Sequence, residues 1–525
     1  MARDEATKRR NAQGGNGGMF ATPVLQAVRL RHGRAFFQWL ENGRWIFPMV
    51  GKNADGFSNG WKNGRAGGGA DGIVHGGFRD GGGTGSARPN SDADGMTGIW
   101  GWRGEGNGVG WGEIEKEDEM KFTYEVVASG LHDAADLRAA LGGVEEEIVR
   151  RGGVRVEEGG EFVLVATGGV EREVLRRLEA REKGRPALLL AHVRHNSLPA
   201  ALEILGRVQQ DGGSGRIYLL KEGQTGDWAA LEQTARCLEA RRKLAAETIG
   251  CVGEASAWLV ASSQNAEAVA RRFGVKMEAI DLQEWRDATA EEAETPDETG
   301  ILEGAKERTV SVEEYRHAMA AYRGLRRVVE RHGLAGVTVK CFDYLLAEKT
   351  TGCLALSQLA DEGISAGCEG DVTAIVAMRW LWHLTGQVAW MANPAEIDAE
   401  SGRMHLAHCT VPRKMLEGYG LKTHFESGTG VALDGELKRG PVTLVRLGGR
   451  ELERCWVAEG ELTDATHQEH LCRTQAWIQL EPKAARELLA RPLGNHLVMV
   501  AGRWGGAVRE GFGLLASGGA ADSEK

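Results

Sequence analysis

From Met120 onward, runs of consecutive apolar residues alternate with stretches in which apolar residues recur every three or four positions. FVLVATGG (162–169), ALLLAHV (187–193) and RIYLL (216–220) are short and continuously apolar, which predicts strands buried on both faces. VEREVLRRLEAREKG, SLPAALEILGRVQQ and DWAALEQTARCLEARRKLAAETIG (227–250) read as helices. The second of these has Ser197 as expected N-cap and Pro199 in its first turn. Such alternation implies a parallel sheet covered by helices. A similar unit follows, in which TIGCVG, WLVASS (258–263), KMEAIDL and VTVKCF (337–342) are expected strands. AEAVARRFG and SVEEYRHAMAAYRGLRRVVERHG (311–333) are expected helices, and the acidic stretch 286–310 a loop with some helix. Beyond about residue 372, QVAWMANPAEID, RMHLAHCTV, PVTLVRLGG, LERCWVAEG and NHLVMVAG are short strands separated by turns. The expected fold class is α/β: two α/β domains (120–241 and 242–372) followed by a mainly β C-terminal domain (373–518).

Composition changes the picture most at the start of the chain. Residues 1–119 hold 28 of the 75 glycines and 6 of the 15 tryptophans. Backbone entropy opposes ordering a chain so rich in glycine, and no helix or strand period is sustained there. The segment is therefore expected to lie outside the fold. It reads as a disordered linker, an interaction tail, or a stretch not natively translated, with translation starting at Met120. The chain as a whole is 42% hydrophobic and 26% charged, as in globular proteins. A net charge of −10 gives no reason to expect nucleic acid or an anionic membrane as partner. No run reaches the roughly 18 apolar residues of a membrane span, and no secretory signal is expected. The eight cysteines include no CxxC pair, so they read as reduced thiols buried as small hydrophobes in a cytoplasmic protein, without a zinc knuckle. ATGGVE and VGEAS do not match GxGxxG and no P-loop is present, so no nicotinamide cofactor is expected.

Candidate chemistry begins at GCEGDVTAIVAMRWLWHLTG (367–386). Glu369 and Asp371 flank Gly370 where an apolar helix starts, a place where acids also serve simply as helix caps. Asn393 precedes a proline in AWMANPAEID, as in many ordinary turns. RMHLAHCTVP puts His405 and His408 on one strand facing opposite sides. RPLGNHLVMVAGRW sets His496 at the mouth of an apolar strand. Carboxylate, amide oxygen and imidazole together suit Mn(II) or another borderline divalent cation, although sequence alone does not assemble them.

GLAGVTVKCFDYL, TGCLALSQLADEGISAGCEGD, AWMANPAEID, AHCTVP, GPVTLVRLGG and LGNHLVMVAGRW, in that order, resemble the C-terminal half of the L-fucose isomerase-like family. RHNSLPAALEILGRV and ETIGCVGEASAWLVAS resemble its two N-terminal domains, so the likeness covers about residues 123–518. The resemblance implies two Rossmann-like domains and a β-rich C-terminal domain around one divalent metal, usually manganese. It further implies a homo-oligomer, a hexamer or trimer, acting on a small-molecule sugar. By the same resemblance Glu369 is metal ligand and proton-transfer base, and His496 is a ligand. The second acidic ligand of fucose isomerases falls on Asn393, which can coordinate but cannot act as acid. A further histidine ligand of arabinose isomerases falls near His408, and Asp371 is a candidate for the missing acid role. The implied activity is aldose–ketose isomerisation of a deoxy-sugar or pentose, of the L-fucose or D-arabinose type, through an enediolate. An isomerase of a modified sugar, or a catalytically silent sugar-binding paralogue, are the alternatives.

Overall fold

The structure, a computed structural model, describes residues 120–516 apart from 183, 224, 264–265, 293–298 and 465–466; the expectations for residues 1–119 lie outside the described residues. Strands β1 (Phe122–Val127), β2 (Gly153–Val156), β3 (Phe162–Val165), β4 (Ala187–His192) and β5 (Gly215–Leu220) form a parallel sheet in the order β2-β1-β3-β4-β5. Its continuous apolar runs are explained by the two-residue period of a strand with both faces covered. Phe162 and Leu164 join Phe122, Tyr124, Leu188 and Leu190 in one apolar layer, while Val163 and Val165 join Val127, Leu189 and Ala191 in the other. Each large side chain so buried contributes about 1.5–3 kcal/mol.

Strands β6 (Thr248–Val252), β7 (Lys276–Ile280), β9 (Gly336–Val339) and β10 (Ser365–Gly367) form a second parallel sheet, ordered β10-β9-β6-β7. The strand order reverses between β6 and β9, and at such a switch point the loops at the carboxyl ends of the strands part to leave a crevice. The chain leaving β10 enters that crevice at once, as Cys368, Glu369 and Gly370. Between β7 and β9, β8 (Glu307–Arg308) runs parallel to a distant stretch of chain, pairing with Gly420 and Leu421.

The last third of the chain is antiparallel. Strands β11 (Trp390–Ile397), β12 (Arg403–His408), β15 (Gly440–Gly448), β16 (Arg454–Asp464), β17 (Thr474–Leu480) and β18 (Leu497–Ala501) close into a barrel in the order β11-β12-β17-β16-β15-β18. Closure leaves β18 hydrogen-bonded on both sides, to β11 through Trp390–Met499 and to β15 through Val445–Val498. Strands β13 (Leu416–Lys422) and β14 (Ala432–Leu437) form a small sheet with β8. The helix Val372–Thr385 joins the second sheet to the barrel, and one apolar core runs through both. No helix among the described residues is long and apolar enough to cross a membrane.

Local expectations fail in two instructive places. Trp258–Ser263 is a series of turns, not a strand. Trp258 and Val260 are 53% and 89% exposed, so this apolar run is not buried as a sheet strand would be. Ser197 is the first helical residue and not the N-cap, a position held by Asn196 in a left-handed conformation. The buried Ser197 hydroxyl instead accepts the His192 N–H at 2.9 Å and donates to the Val165 carbonyl, tying two strands to the helix start.

Candidate metal centre

Glu369 adopts a left-handed backbone, φ +63°, a conformation that costs a non-glycine residue roughly 1–2 kcal/mol. The following Gly370 (φ +70°) is required by crowding, because a Cβ there would sit 2.5 Å from the Glu254 carbonyl oxygen. The Gly370 N–H donates to the Val339 carbonyl at 3.0 Å and the Glu369 carbonyl accepts from Ser256 at 2.8 Å, fixing the turn against the ends of β9 and β6. This strained turn aims the Glu369 carboxylate into the crevice, where Trp258 Nε1 donates to Oε2 at 2.6 Å. Strain of this kind points towards a functional constraint.

The barrel supplies the other side. His408 ends β12 and is 4% exposed; His496 immediately precedes β18 and is fully buried. Their rings lie 5.4 Å apart, and one ligand atom from each of Glu369, His408 and His496 falls within 4.8 Å of the others. His496 is oriented by Asp371, whose Oδ2 lies 2.9 Å from Nδ1. Its other nitrogen, Nε2, is buried without a hydrogen-bond partner, 3.8 Å from Glu369 Oε1. An orphaned imidazole nitrogen facing a carboxylate and a second imidazole fits a divalent cation of the borderline class.

Asp371 itself is fully buried and fully engaged. Its Oδ1 caps the following helix by accepting from Ala374 N–H at 2.8 Å, and also accepts from the Thr373 hydroxyl at 2.7 Å. Its Oδ2 accepts from Arg446 Nη1 at 3.0 Å besides meeting His496. Arg446 is likewise fully buried and donates to Ser262 Oγ and the Leu493 carbonyl. Glycine at 494 is needed for this, since a Cβ there would collide with the guanidinium.

Charge follows geometry. Burial alone would raise the Glu369 carboxyl, but His496 and Trp258 outweigh it and hold it below the usual carboxylate range. Burial opposes ionisation of Asp371 too, and Arg446 with His496 overcomes it by a wide margin. Burial, reinforced by the charge of His496, pushes His408 down to about 3, so it is a neutral imidazole at pH 7. Thr410 Oγ1 lies 2.8 Å from its Nδ1. Nδ1 also accepts from the Thr410 backbone N–H at 3.4 Å. Burial would lower His496, but the Asp371 and Glu369 carboxylates carry it up to about 9.

Of the residues chosen from sequence, the structure thus brings Glu369, His408 and His496 together and sets Asp371 behind His496. Asn393, on β11 opposite Ala407, accepts from Asn495 Nδ2 at 3.4 Å, next to His496. His405 stacks on Trp477 and stands outside the cluster. Trp258, Ser262 and Arg446 escaped the sequence reading. For Arg446 a signal existed, because an arginine inside the apolar strand VTLVRLGG has to be paired.

The chain is similar to a sulfoquinovose isomerase from Alkalicoccus urumqiensis, with 23% identity over 290 residues, which cover 50% of this chain and 65% of that protein. No family model matches the chain.

Proposed function

We propose that the chain is a divalent-metal-dependent sugar isomerase that interconverts an aldose and its ketose, with manganese as the expected ion. The observation that carries this reading is the convergence of Glu369, His408 and His496 around the unpartnered Nε2 of His496. The similarity to a sulfoquinovose isomerase adds support. A cation held by these three residues would supply Lewis-acid polarisation of the sugar carbonyl.

The chain's own residues do the rest. Glu369 is ionised at neutral pH and steadied by Trp258 through Oε2. It takes the proton from the carbon beside the carbonyl and returns it to the neighbouring carbon, help worth roughly 10²–10⁴ in rate. Asp371 serves in this reading as a positioning residue and not as the acid expected from sequence. Its oxygens accept from Arg446, Thr373 and Ala374 and hold His496 by Nδ1, and it stays ionised far below neutral pH. Asn393 lends an amide oxygen at the edge of the site without proton transfer. Trp258 and Val260, exposed beside Glu369, are apolar surface of the kind a second copy of the chain covers, in keeping with a homo-oligomer.

The test uses chelator-stripped protein with and without added Mn²⁺ on a panel of aldoses that includes L-fucose, D-arabinose and sulfoquinovose, scored for ketose. Turnover is expected to need the metal and to vanish in Glu369→Gln at unchanged melting temperature. Isomerisation that survives either chelation or Glu369→Gln would overturn the proposal. A modified sugar is the second reading, favoured by the name of the relative; ketose formed from sulfoquinovose and from no unmodified aldose would select it.

A further inference from the structure

A second ligand cluster lies beside His408. Cys353 and Cys409 are buried with His424, and one ligand atom from each falls within 4.8 Å of the others. Cys472, less buried, packs against the same thiols but lies outside that 4.8 Å group. These residues come from four separate segments. Cys353 opens the helix Cys353–Asp361, Cys409 follows β12, His424 follows β13, and Cys472 precedes β17.

The segments are laced together around the cluster. Thr351 Oγ1 donates to the Val431 carbonyl at 3.0 Å, and the Val431 N–H donates back to it at 3.2 Å. Gly430 (φ +68°) leaves the room this needs, since a Cβ there would lie 2.6 Å from Thr351 N. Arg473 Nε donates to the Thr423 carbonyl at 2.9 Å, and Thr474 Oγ1 to the Leu433 carbonyl at 3.0 Å. Cys409 is the immediate neighbour of His408, at the bend that follows β12, so the two ligand groups are joined through one stretch of chain.

We propose that Cys353, Cys409, His424 and Cys472 form a second metal site, taking a thiolate-seeking divalent cation of the zinc type. Three sulfurs and one imidazole match the Cys₃His set of structural zinc sites, whereas the carboxylate–imidazole set of Glu369, His408 and His496 suits a harder ion. Around tetrahedral zinc with bonds of about 2.3 Å, sulfur atoms stand roughly 3.8 Å apart, so Cys353 and Cys409 need to close by at most about an ångström, and Cys472, outside their 4.8 Å group, has to swing in on binding. The usual spacing signal is missing because each ligand arrives on a different segment. Binding would displace thiol protons and lock the segments around 423–431 and 472–474 to the barrel.

The test titrates reduced, chelator-treated protein with Co²⁺ and follows the thiolate charge-transfer band and the visible bands of tetrahedral cobalt. One cobalt per chain is expected to give these bands and to be displaced by Zn²⁺. Cys353→Ser and Cys472→Ser are each expected to weaken zinc at least tenfold, while Glu369→Gln keeps the bands intact and so separates this site from the proposed isomerase centre. X-ray absorption of the zinc-loaded wild-type chain serves as a check that needs no variant, with sulfur neighbours at about 2.3 Å expected. Absence of the charge-transfer band, or zinc surrounded by nitrogen and oxygen alone, would overturn the site. Bands that persist in a Cys353→Ser/Cys409→Ser double variant would do the same. They would assign the thiolates to the other close pair, Cys341 and Cys368, whose sulfurs are 3.0 Å apart.

Discussion

Replacing Asp371 by Asn removes one negative charge from a place that water does not reach. Asn keeps an oxygen for Ala374 N–H and the Thr373 hydroxyl, so the helix cap survives. Arg446 does not fare as well. Its guanidinium is fully buried, and among the described residues Asp371 is the one carboxylate within ion-pair distance of it. Breaking a buried pair by deleting one partner leaves an uncompensated charge and costs about 3–5 kcal/mol. In the double variant Asp371→Asn/Arg446→Met that charge is gone, and the pair is expected to show a coupling of about 2–3 kcal/mol. Metal affinity should behave differently. His496 loses its orienting carboxylate in both variants, so Mn²⁺ binding is expected to fall about 10–100-fold in each. Urea unfolding in the presence of chelator measures the first effect, and calorimetric titration with Mn²⁺ the second. The reasoning fails if Asp371→Asn lies within 1 kcal/mol of the parent, or if the double variant is as unstable as the sum of the singles.

Glu369 offers a comparison in which glycine is expected to win. At φ +63° alanine is strained and glycine is not, so Glu369→Gly should be more stable than Glu369→Ala by about 1 kcal/mol in urea unfolding, against the usual order. Equal stabilities would remove the strain. Trp258→Phe keeps the ring and loses the donor to Glu369 Oε2, so kcat is expected to drop about tenfold with the melting temperature unchanged, because Trp258 is half exposed. An unchanged kcat would show that the Trp258 hydrogen bond does not serve catalysis. Acid stability should depend on Glu247: burial would raise its carboxyl, but Arg379 Nε at 2.7 Å and His383 Nε2 at 2.9 Å bring it down to about 2. A depressed carboxyl stabilises the fold above its unfolded value near 4.5 and loses that contribution as pH falls towards 2, about 3 kcal/mol in all. Unfolding of Glu247→Gln between pH 4.5 and 2 is therefore expected to show a shallower acid limb, and an identical limb would contradict the assignment.

The parts of the fold legible in the sequence are those where local pattern and burial agree. FVLV and ALLLAH are continuous because both faces of a parallel sheet are covered, and the strands lie where the pattern puts them. WLVASS carries the same pattern for a different reason: its tryptophan is committed to Glu369 and its valine is left on the surface. Among the candidate residues, local sequence could not separate a helix-capping Glu369 and Asp371 from ligands, and the resemblance supplied the distinction. In the structure the two acids divide the possibilities, Asp371 capping the helix and Glu369 reaching into the crevice. Arg446 and the thiols around Cys409 depend on contacts between segments far apart in the chain, which no periodicity encodes.

Closure of the barrel has a mechanical consequence. His496 is followed directly by a strand held by neighbours on both edges, and His408 ends another that is paired with β11 and β17, so neither can shift without tearing a ladder. Opposite them, Trp258 rides on a run of turns with one apolar face bare. The centre is an anvil on one side and yielding on the other, so any rearrangement around Glu369 falls to the turns that carry Trp258.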